Sequence, residues 1–170
     1  MIFRKATILD TEAVTAIYEY AKKILMDSGI PQWQGAVPGR DSFIQDLSLG
    51  QAYVVEENGT VIATIQLINH EPYYDNVENG SWRASSALVA HHVAVSNECR
   101  KQGVASFMLH NAEIIAKERG RCSLRLDTHE LNYRMRHLLE KHGFENIGVV
   151  TMPNGDMRLA YEKTFNTLTT

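Results

Sequence analysis

The sequence predicts an α/β (α+β) fold, a mixed sheet with helices on its faces, and two observations carry this prediction. Asn58-Gly59 and Asn154-Gly155 each separate two β-prone runs. Asn-Gly between such runs is the strongest short hairpin signal, and a hairpin pairs its strands antiparallel. In the second half of the chain, strand-like runs alternate with amphipathic helices. Because such interleaving implies parallel strands, we expect both kinds of pairing in one sheet.

The first half of the chain predicts three strands and two helices. The strands cover residues 1–7, 51–57 and 60–69. One helix begins at Asp10 or Thr11, whose side chains can cap its first turn, and ends near Gly29. Residues 31–40 contain two prolines and two glycines and predict an irregular loop. A short second helix follows Asp41.

The second half predicts a long loop, four strands and two helices. The loop covers residues 70–85, which are polar and aromatic. The clearest helix covers residues 103–119, has one wide apolar face and ends at Gly120; a second covers residues 131–142. The strands cover residues 86–95, 123–127, 144–152 and 157–163. We expect one domain over residues 1–165 and a polar tail over 166–170.

Length and charge exclude several classes of protein. A chain of 170 residues fits one domain with a sizeable core. Seventeen basic and twenty acidic residues give a net charge of −3, which argues against a nucleic-acid binder. No apolar run reaches the roughly 20 residues of a membrane-spanning helix. The N-terminus lacks the pattern of a signal peptide, so the expected location is the cytoplasm, without a membrane partner.

The junction before the predicted helix 103–119 has the features of an anion site. A helix N-terminus presents unpaired N–H groups and a partial positive charge, which acidic side chains often neutralise. Here the first turn contains no acid, and Arg100 and Lys101 come directly before it. This arrangement is favourable if an anion binds the backbone N–H groups. The alternative is a solvated loop with two surface cations.

Two segments together resemble the GNAT-type N-acetyltransferases. Arg100-x-x-Gly103-x-Ala105, between a strand and an amphipathic helix, is similar to their acetyl-CoA signature. The segment from Asn132 to Phe144, which ends in Lys-x-Gly-Phe, is similar to their late helix. The order of elements matches over residues 1–163.

This resemblance implies a mostly antiparallel sheet of about seven strands flanked by about four helices. The sheet would be splayed between the fourth and fifth strands, with acetyl-CoA in the gap. The strand residues expected to hold the pantetheine arm are Val93, Ala94 and Val95. The loop residues expected to hold the pyrophosphate are Arg100, Lys101, Gln102, Gly103, Val104, Ala105 and Ser106. The late-helix residues expected near the pantetheine and the thiol are Asn132, Met135, Leu139 and Lys141.

The predicted reaction is direct acetyl transfer to an amine, which must be neutral to attack. His91 and His92 are adjacent on the strand 86–95, and successive strand residues face opposite ways. His91 is the candidate base, because it shares its face with Val93 and Val95; the alternative is a histidine packed under a helix. The family commonly protonates the thiolate with a tyrosine, but this chain has Leu139 at that position, which cannot donate a proton.

The acceptor is predicted only as a class: a small amine, or an amino group of a peptide or protein. Aromatic residues in the two long loops and one histidine could line its pocket, or could form small local cores; they are Trp33, Tyr73, Tyr74, Trp82 and His129. The histidines show no metal-ligand spacing, so no metal is expected. Two other functions stay open, a silent acyl-CoA-binding module and a phosphate-binding interaction domain. A homodimer is possible by analogy with the family.

Overall fold

The computed structural model describes residues 1–99 and 102–165, which form four α-helices and an open, mostly antiparallel sheet of eight strands. The helices are α1 (Thr11–Asp27), α2 (Arg40–Ser48), α3 (Val104–Glu118) and α4 (Tyr133–Lys141). The strands are β1 (Ile2–Lys5), β2 (Ala52–Glu57), β3 (Thr60–Ile68), β4 (Val77–Glu78), β5 (Ala87–Val95), β6 (Ser123–Thr128), β7 (Glu145–Thr151) and β8 (Met157–Thr164).

This architecture confirms the predicted fold class. The additional strand is β4, which has only two residues and lies inside the segment predicted as a long loop. The predicted tail 166–170 lies outside the described residues. In the part of the chain that the structure describes, no helix has the length and apolar character needed to cross a membrane.

The chain divides into two compact units, and the first contains Met1–Leu67 and His91–Asn111. Its strand order is β1-β2-β3-β5, and β1, β2 and β3 pair antiparallel. Asn58 and Gly59 both have positive φ, 51° and 78°, as a type I′ turn requires, so the predicted hairpin is confirmed. One buried apolar cluster of this unit contains Val14, Ile17, Tyr18, Phe43, Ala52, Val54 and Ala94.

The second unit contains Ile68–Ala90 and the chain from Ala112 onward. Within it, Ala87–Val89 of β5 pair in parallel with Ser123–Arg125 of β6. The order continues β6-β8-β7-β4, and these neighbours are antiparallel. The β7–β8 hairpin turns at Gly155, with φ of 87°, as predicted.

A carboxylate joins the start of the first unit to its first helix. Asp10 accepts hydrogen bonds from Arg4 Nη1 and Nη2, both at 2.8 Å, and from the Thr7 backbone N–H at 2.7 Å. The hydrogen bond from Arg4 is the main reason that the pKa of the Asp10 carboxyl lies below its usual value. The carboxylate therefore fixes the turn between β1 and α1.

A second carboxylate holds the loop before β5 in the second unit. The Glu162 side chain is fully buried in β8. It accepts hydrogen bonds from the Arg83 backbone N–H at 2.6 Å, Ser123 Oγ at 2.7 Å and Arg125 Nε at 2.9 Å. Arg125 also donates to the Ala84 carbonyl at 2.6 Å. Because both Arg83 and Ala84 belong to the loop, Glu162 fixes its course through backbone contacts.

Asp10→Asn should destabilise the protein by about 1–2 kcal/mol at neutral pH, because it removes a charged acceptor of several hydrogen bonds. A lowered pKa means that the wild type has this stabilisation above the unfolded-state value of about 3.9 and loses it as the pH falls further. The difference between variant and wild type should therefore shrink in acid, as measured by urea unfolding. Asp27→Asn, which breaks the exposed pair with Lys23, should change stability by less than about 0.5 kcal/mol. An equal effect of both substitutions would contradict the conclusion that Asp10 stabilises the turn between β1 and α1.

Glu162→Gln should destabilise the protein by about 3–5 kcal/mol, because it leaves the Arg125 guanidinium buried without its charge partner. Glu145→Gln is the matched control, since Glu145 pairs with Arg83 at 2.6 Å while both side chains are more than half exposed. Its expected cost is below about 1 kcal/mol. Urea unfolding of the two variants measures the difference in their free energies of unfolding. A Glu162→Gln variant as stable as the control would exclude Glu162 as the stabilising charge partner of Arg125.

Candidate functional site

In the first unit, the predicted phosphate loop connects β5 to α3. A 3₁₀ turn, Asn97–Cys99, follows the strand, and α3 begins at Val104 with no acid in its first turn. Gly103 has φ of 78°, and a Cβ added there would meet no atom within 4 Å. The backbone at the helix start is therefore open to a ligand and adopts a conformation that favours glycine. Arg100 and Lys101 lie outside the described residues.

The residues around Gly103 differ in exposure. Gln102 and Gly103 are exposed, Ala105 and Ser106 are half-buried, and Val104 is buried in the core. Gln102 Nε2 donates to the Glu98 carbonyl at 3.0 Å, which closes the loop on itself. The described part of the loop thus exposes the backbone at Gly103, next to the exposed side chains of Glu98 and Gln102.

The second half of β5 departs from regular strand geometry at one residue. His92 has φ of 53°, in the left-handed region, although it lies between strand residues. The His91 and His92 rings are both half-buried, with centroids 6.3 Å apart. The prediction that these two side chains face opposite ways assumed an unbroken strand, and the turn at His92 interrupts that alternation. Beyond it, Ala94 is buried while Val93 and Val95 are half-buried, so these two share a face.

The partner of His92 is Asp46, which was not predicted as a site residue. His92 Nδ1 lies 3.3 Å from Asp46 Oδ2, within hydrogen-bond distance, and Gln66 Nε2 donates to Asp46 Oδ1 at 2.6 Å. The Asp46 side chain is only 7% exposed. The available signal was its position on α2, three residues after Phe43, because that spacing places Asp46 on the apolar face of the helix.

Two aromatic residues surround the His92 ring. Tyr18 and Trp33 each meet it edge to face, with centroids 6.0 and 6.4 Å away, and meet each other at 6.4 Å. Burial raises the pKa of Tyr18, and the nearby charge of Asp46 raises it further, so its hydroxyl stays protonated. Trp33 is half-buried and packs against the core of the first unit. Trp33, predicted as a pocket residue, therefore lies beside His92.

In the second unit, two tyrosines share one carboxylate. The hydroxyls of Tyr73 and Tyr74 both donate to Asp127 Oδ2, at 2.9 and 2.8 Å. Burial is the largest cause of the raised pKa of both tyrosines, and the Asp127 charge also contributes. Asp127 was not predicted as a site residue, because its tyrosine partners are 53 and 54 residues away in sequence.

Trp82 belongs to a local core of the second unit. Its Nε1 donates to the Tyr74 carbonyl at 2.6 Å, and the Arg125 guanidinium lies 4.2 Å from its ring centre. Both the polar edge and one face of the ring are thus engaged. Trp82 therefore packs in a local core, and its role in an acceptor pocket stays a prediction.

The remaining predicted residues lie around α4. Asn132 caps the helix, with its Oδ1 accepting from the Met135 N–H at 3.3 Å. His129 Nδ1 accepts from the Leu131 N–H at 3.1 Å. Leu139 is completely buried, Met135 is half-buried and Lys141 is exposed. Among the residues that the structure describes, no cluster of three or more metal-ligating side chains occurs.

Known proteins share both the sequence pattern and the fold. The acetyltransferase (GNAT) family matches residues 14–144. A GNAT-family acetyltransferase from Streptococcus agalactiae 2603 is 30% identical, with a TM-score of 0.88 over 98% of this chain and 96% of that one. The uncharacterized N-acetyltransferase YesJ of Bacillus subtilis (strain 168) is 23% identical over 82% of this chain and 78% of its own length.

The structure of a PaiA N-acetyltransferase from Thermoplasma acidophilum, solved in complex with coenzyme A, is 17% identical to this chain. Its TM-score is 0.70 over 96% of this chain and 98% of that one, which shows a common fold. The family match covers well over half of the chain and agrees with the resemblance predicted from the loop and the late helix. This protein belongs to the acetyltransferase (GNAT) family.

Proposed function

We propose that this protein transfers an acetyl group from acetyl-CoA to a primary amine of a small molecule, peptide or protein. The observation that carries the proposal is the open backbone at Gly103, directly before the acid-free first turn of α3. A helix start of this kind binds phosphate through its unpaired N–H groups. Family membership and the fold shared with a coenzyme A complex support the same ligand.

In the proposed cofactor site, successive segments of the chain contact different parts of acetyl-CoA. The pantetheine arm pairs with backbone groups of Val93–Val95, and the pyrophosphate binds the backbone from Arg100 to Ser106. The proposed contacts from α4 and its cap are Asn132, Met135, Leu139 and Lys141. Of these, Leu139 could reach a ligand only after side chains around it move, because it is completely buried.

The proposed chemistry needs a base and a polarising donor. The amine must lose a proton before it attacks, and a backbone N–H near Val93–Val95 stabilises the charge on the thioester oxygen. His91 is the base suggested by strand position. The residues proposed to line the acceptor pocket are Trp33, Tyr73, Tyr74, Trp82 and His129. We further propose that residues 1–165 form a single domain and that the protein acts in the cytoplasm. A homodimer is the proposed assembly if the protein is not a monomer.

Leu139 gives a specific reason for a second candidate function. At the position where the family resemblance implies a tyrosine, this chain has a buried side chain without a proton to donate. A protein that binds acyl-CoA without turning it over would need no such donor. The second candidate is therefore a silent acyl-CoA sensor or interaction domain.

Gly103→Asp should weaken acetyl-CoA binding by about tenfold to a hundredfold, because a carboxylate at the helix start repels the pyrophosphate. Gly103→Asn is the matched control: it has nearly the same shape, tolerates positive φ and carries no charge. The control should bind several-fold more tightly than the aspartate variant in calorimetry. Equal affinity of the two variants would show that no anion binds at this helix start, and no binding heat for the wild type would overturn the cofactor assignment.

Release of free thiol from acetyl-CoA should accelerate when a suitable amine is added. The panel contains spermidine, tyramine, kanamycin, a peptide with a free N-terminus and a peptide with a lysine side chain. Amine-dependent release, with the acetylated product found by mass spectrometry, is expected for the enzyme. Tight binding of acetyl-CoA without release for any amine would favour the silent binder.

A further inference from the structure

We infer that His92, oriented by Asp46, is the base that deprotonates the acceptor amine, an inference that rests on the proposed acetyl transfer. His92 would be the catalytic residue and Asp46 a positioning residue. The inference shifts the role of base from His91 to its neighbour. It stands on three features of the first unit: a buried carboxylate, a strained backbone and an aromatic enclosure.

The buried carboxylate determines which nitrogen of the ring carries hydrogen. An ionised carboxylate only accepts hydrogen bonds, so the His92 nitrogen facing Asp46 must be Nδ1–H. In the neutral ring Nε2 then holds the lone pair, and within residues 1–99 and 102–165 no hydrogen bond engages it. A carboxylate behind a histidine fixes its tautomer and stabilises the imidazolium that forms when the ring takes a proton.

Asp46 is itself fixed in place. Gln66 Nε2 donates to its Oδ1 at 2.6 Å and also contacts Gln51 Oε1 at 3.2 Å. The carboxylate has one oxygen for Gln66 and one for His92, and its side chain is only 7% exposed. An orienting group supported in this way keeps the ring direction constant, as positioned catalytic groups require.

The second feature is the strained, left-handed backbone conformation of His92. Positive φ is unfavourable for a non-glycine residue, because its Cβ then lies too close to the following carbonyl oxygen. Such strain persists where the surroundings impose it, and it concentrates at functional sites. Here it lies one residue before Val93, where the proposed pantetheine path begins, and it brings the His92 ring within 6.3 Å of the His91 ring.

Four side chains of the first unit contact the His92 ring. The groups around His92 are Tyr18 of α1, Trp33 of the following loop, Asp46 of α2 and His91 of the same strand. Among the described contacts of the ring, Asp46 is the one acid. The His92 side chain is 15% exposed and that of Asp46 is 7% exposed, so the ring reaches the surface while its carboxylate partner is almost completely buried.

The proposed step balances as follows. Nε2 of His92 takes one proton from the ammonium of the acceptor, which leaves a neutral amine, and later releases it to water. The amine lone pair forms the N–C bond with the acetyl carbonyl, and the C–S bond breaks with its electrons remaining on sulfur. The nitrogen loses its second proton and the thiolate gains one, so the products are an amide and coenzyme A.

The first test needs no acceptor. Long-range ¹H–¹⁵N spectra at alkaline pH, where imidazole is neutral, report the tautomer of each histidine, and His92→Asn identifies the signals. The expected result for His92 is the Nδ1–H tautomer, shifting toward Nε2–H in Asp46→Asn. A wild-type His92 in the Nε2–H form would overturn the inference.

The second test is kinetic and uses the amine from the panel that gives the fastest thiol release. His92→Asn, which tolerates positive φ, should lower kcat by about 10²–10⁴-fold and leave acetyl-CoA affinity unchanged. Asp46→Asn should lower kcat by about 10–100-fold. His70→Asn is the matched control, because His70 also contacts an aspartate, Asp75, but both side chains are more than 60% exposed. It should leave kcat unchanged.

A rescue experiment separates a catalytic role from a structural one. His92→Gly adopts the same backbone without strain and leaves a space the size of the missing ring. Added imidazole should restore at least part of its lost activity and should restore none in Asp46→Asn. Full activity in His92→Asn, or a loss seen only in His91→Ala, would exclude His92 as the base. Wild-type protein that does not bind acetyl-CoA would instead refute the proposed function.

Discussion

A carboxylate buried in a protein must find donors, and in each compact unit of this chain those donors lie on a segment that carries candidate site residues. Asp46 in the first unit takes hydrogen bonds from Gln66 and from the His92 ring. Glu162 in the second takes them from Arg125 and from the Arg83 backbone. Since an unpaired buried charge costs several kcal/mol, neither segment can move away without breaking an expensive contact. The part of β5 that carries His92 and the loop before β5 are therefore fixed by the same requirement, that a buried carboxylate has hydrogen-bond donors.

Some features of this chain follow from its fold, and others from individual side chains. The mixed sheet and its helices agree with the fold of a GNAT-family acetyltransferase. The pair of Asp46 with His92 and the two tyrosines on Asp127 depend on individual side chains. A fold supports many reactions, so the acceptor and the base have to be argued from these side chains.

Local patterns predicted most of the fold. The two Asn-Gly hairpins, the amphipathic α3 and the order of elements follow from periods of two or 3.6 residues and from turn chemistry, all of which are visible within short windows. The strand β4 could not be predicted, because its two residues are defined only by pairing with β7, more than 70 positions later.

The site was predictable where it depends on backbone and not where it depends on distant partners. Gly103 could be recognised from its place before a helix without an initial acid. The positive φ of His92 could not be predicted from the sequence, because histidine has no strong preference for the left-handed conformation. Trp82 shows the same limit, since only the structure reveals that Arg125 covers its ring.

The left-handed backbone at His92 also bears on how this protein can evolve. Asn and Gly adopt that conformation readily, whereas β-branched residues do not. Asparagine is one nucleotide away from histidine in the genetic code. A lineage can thus exchange the imidazole for an amide in one step while the strand keeps its course. If the proposed role of His92 is correct, such a descendant would still bind acetyl-CoA but would no longer deprotonate the acceptor amine. An enzyme would then have become a protein that only binds its cofactor.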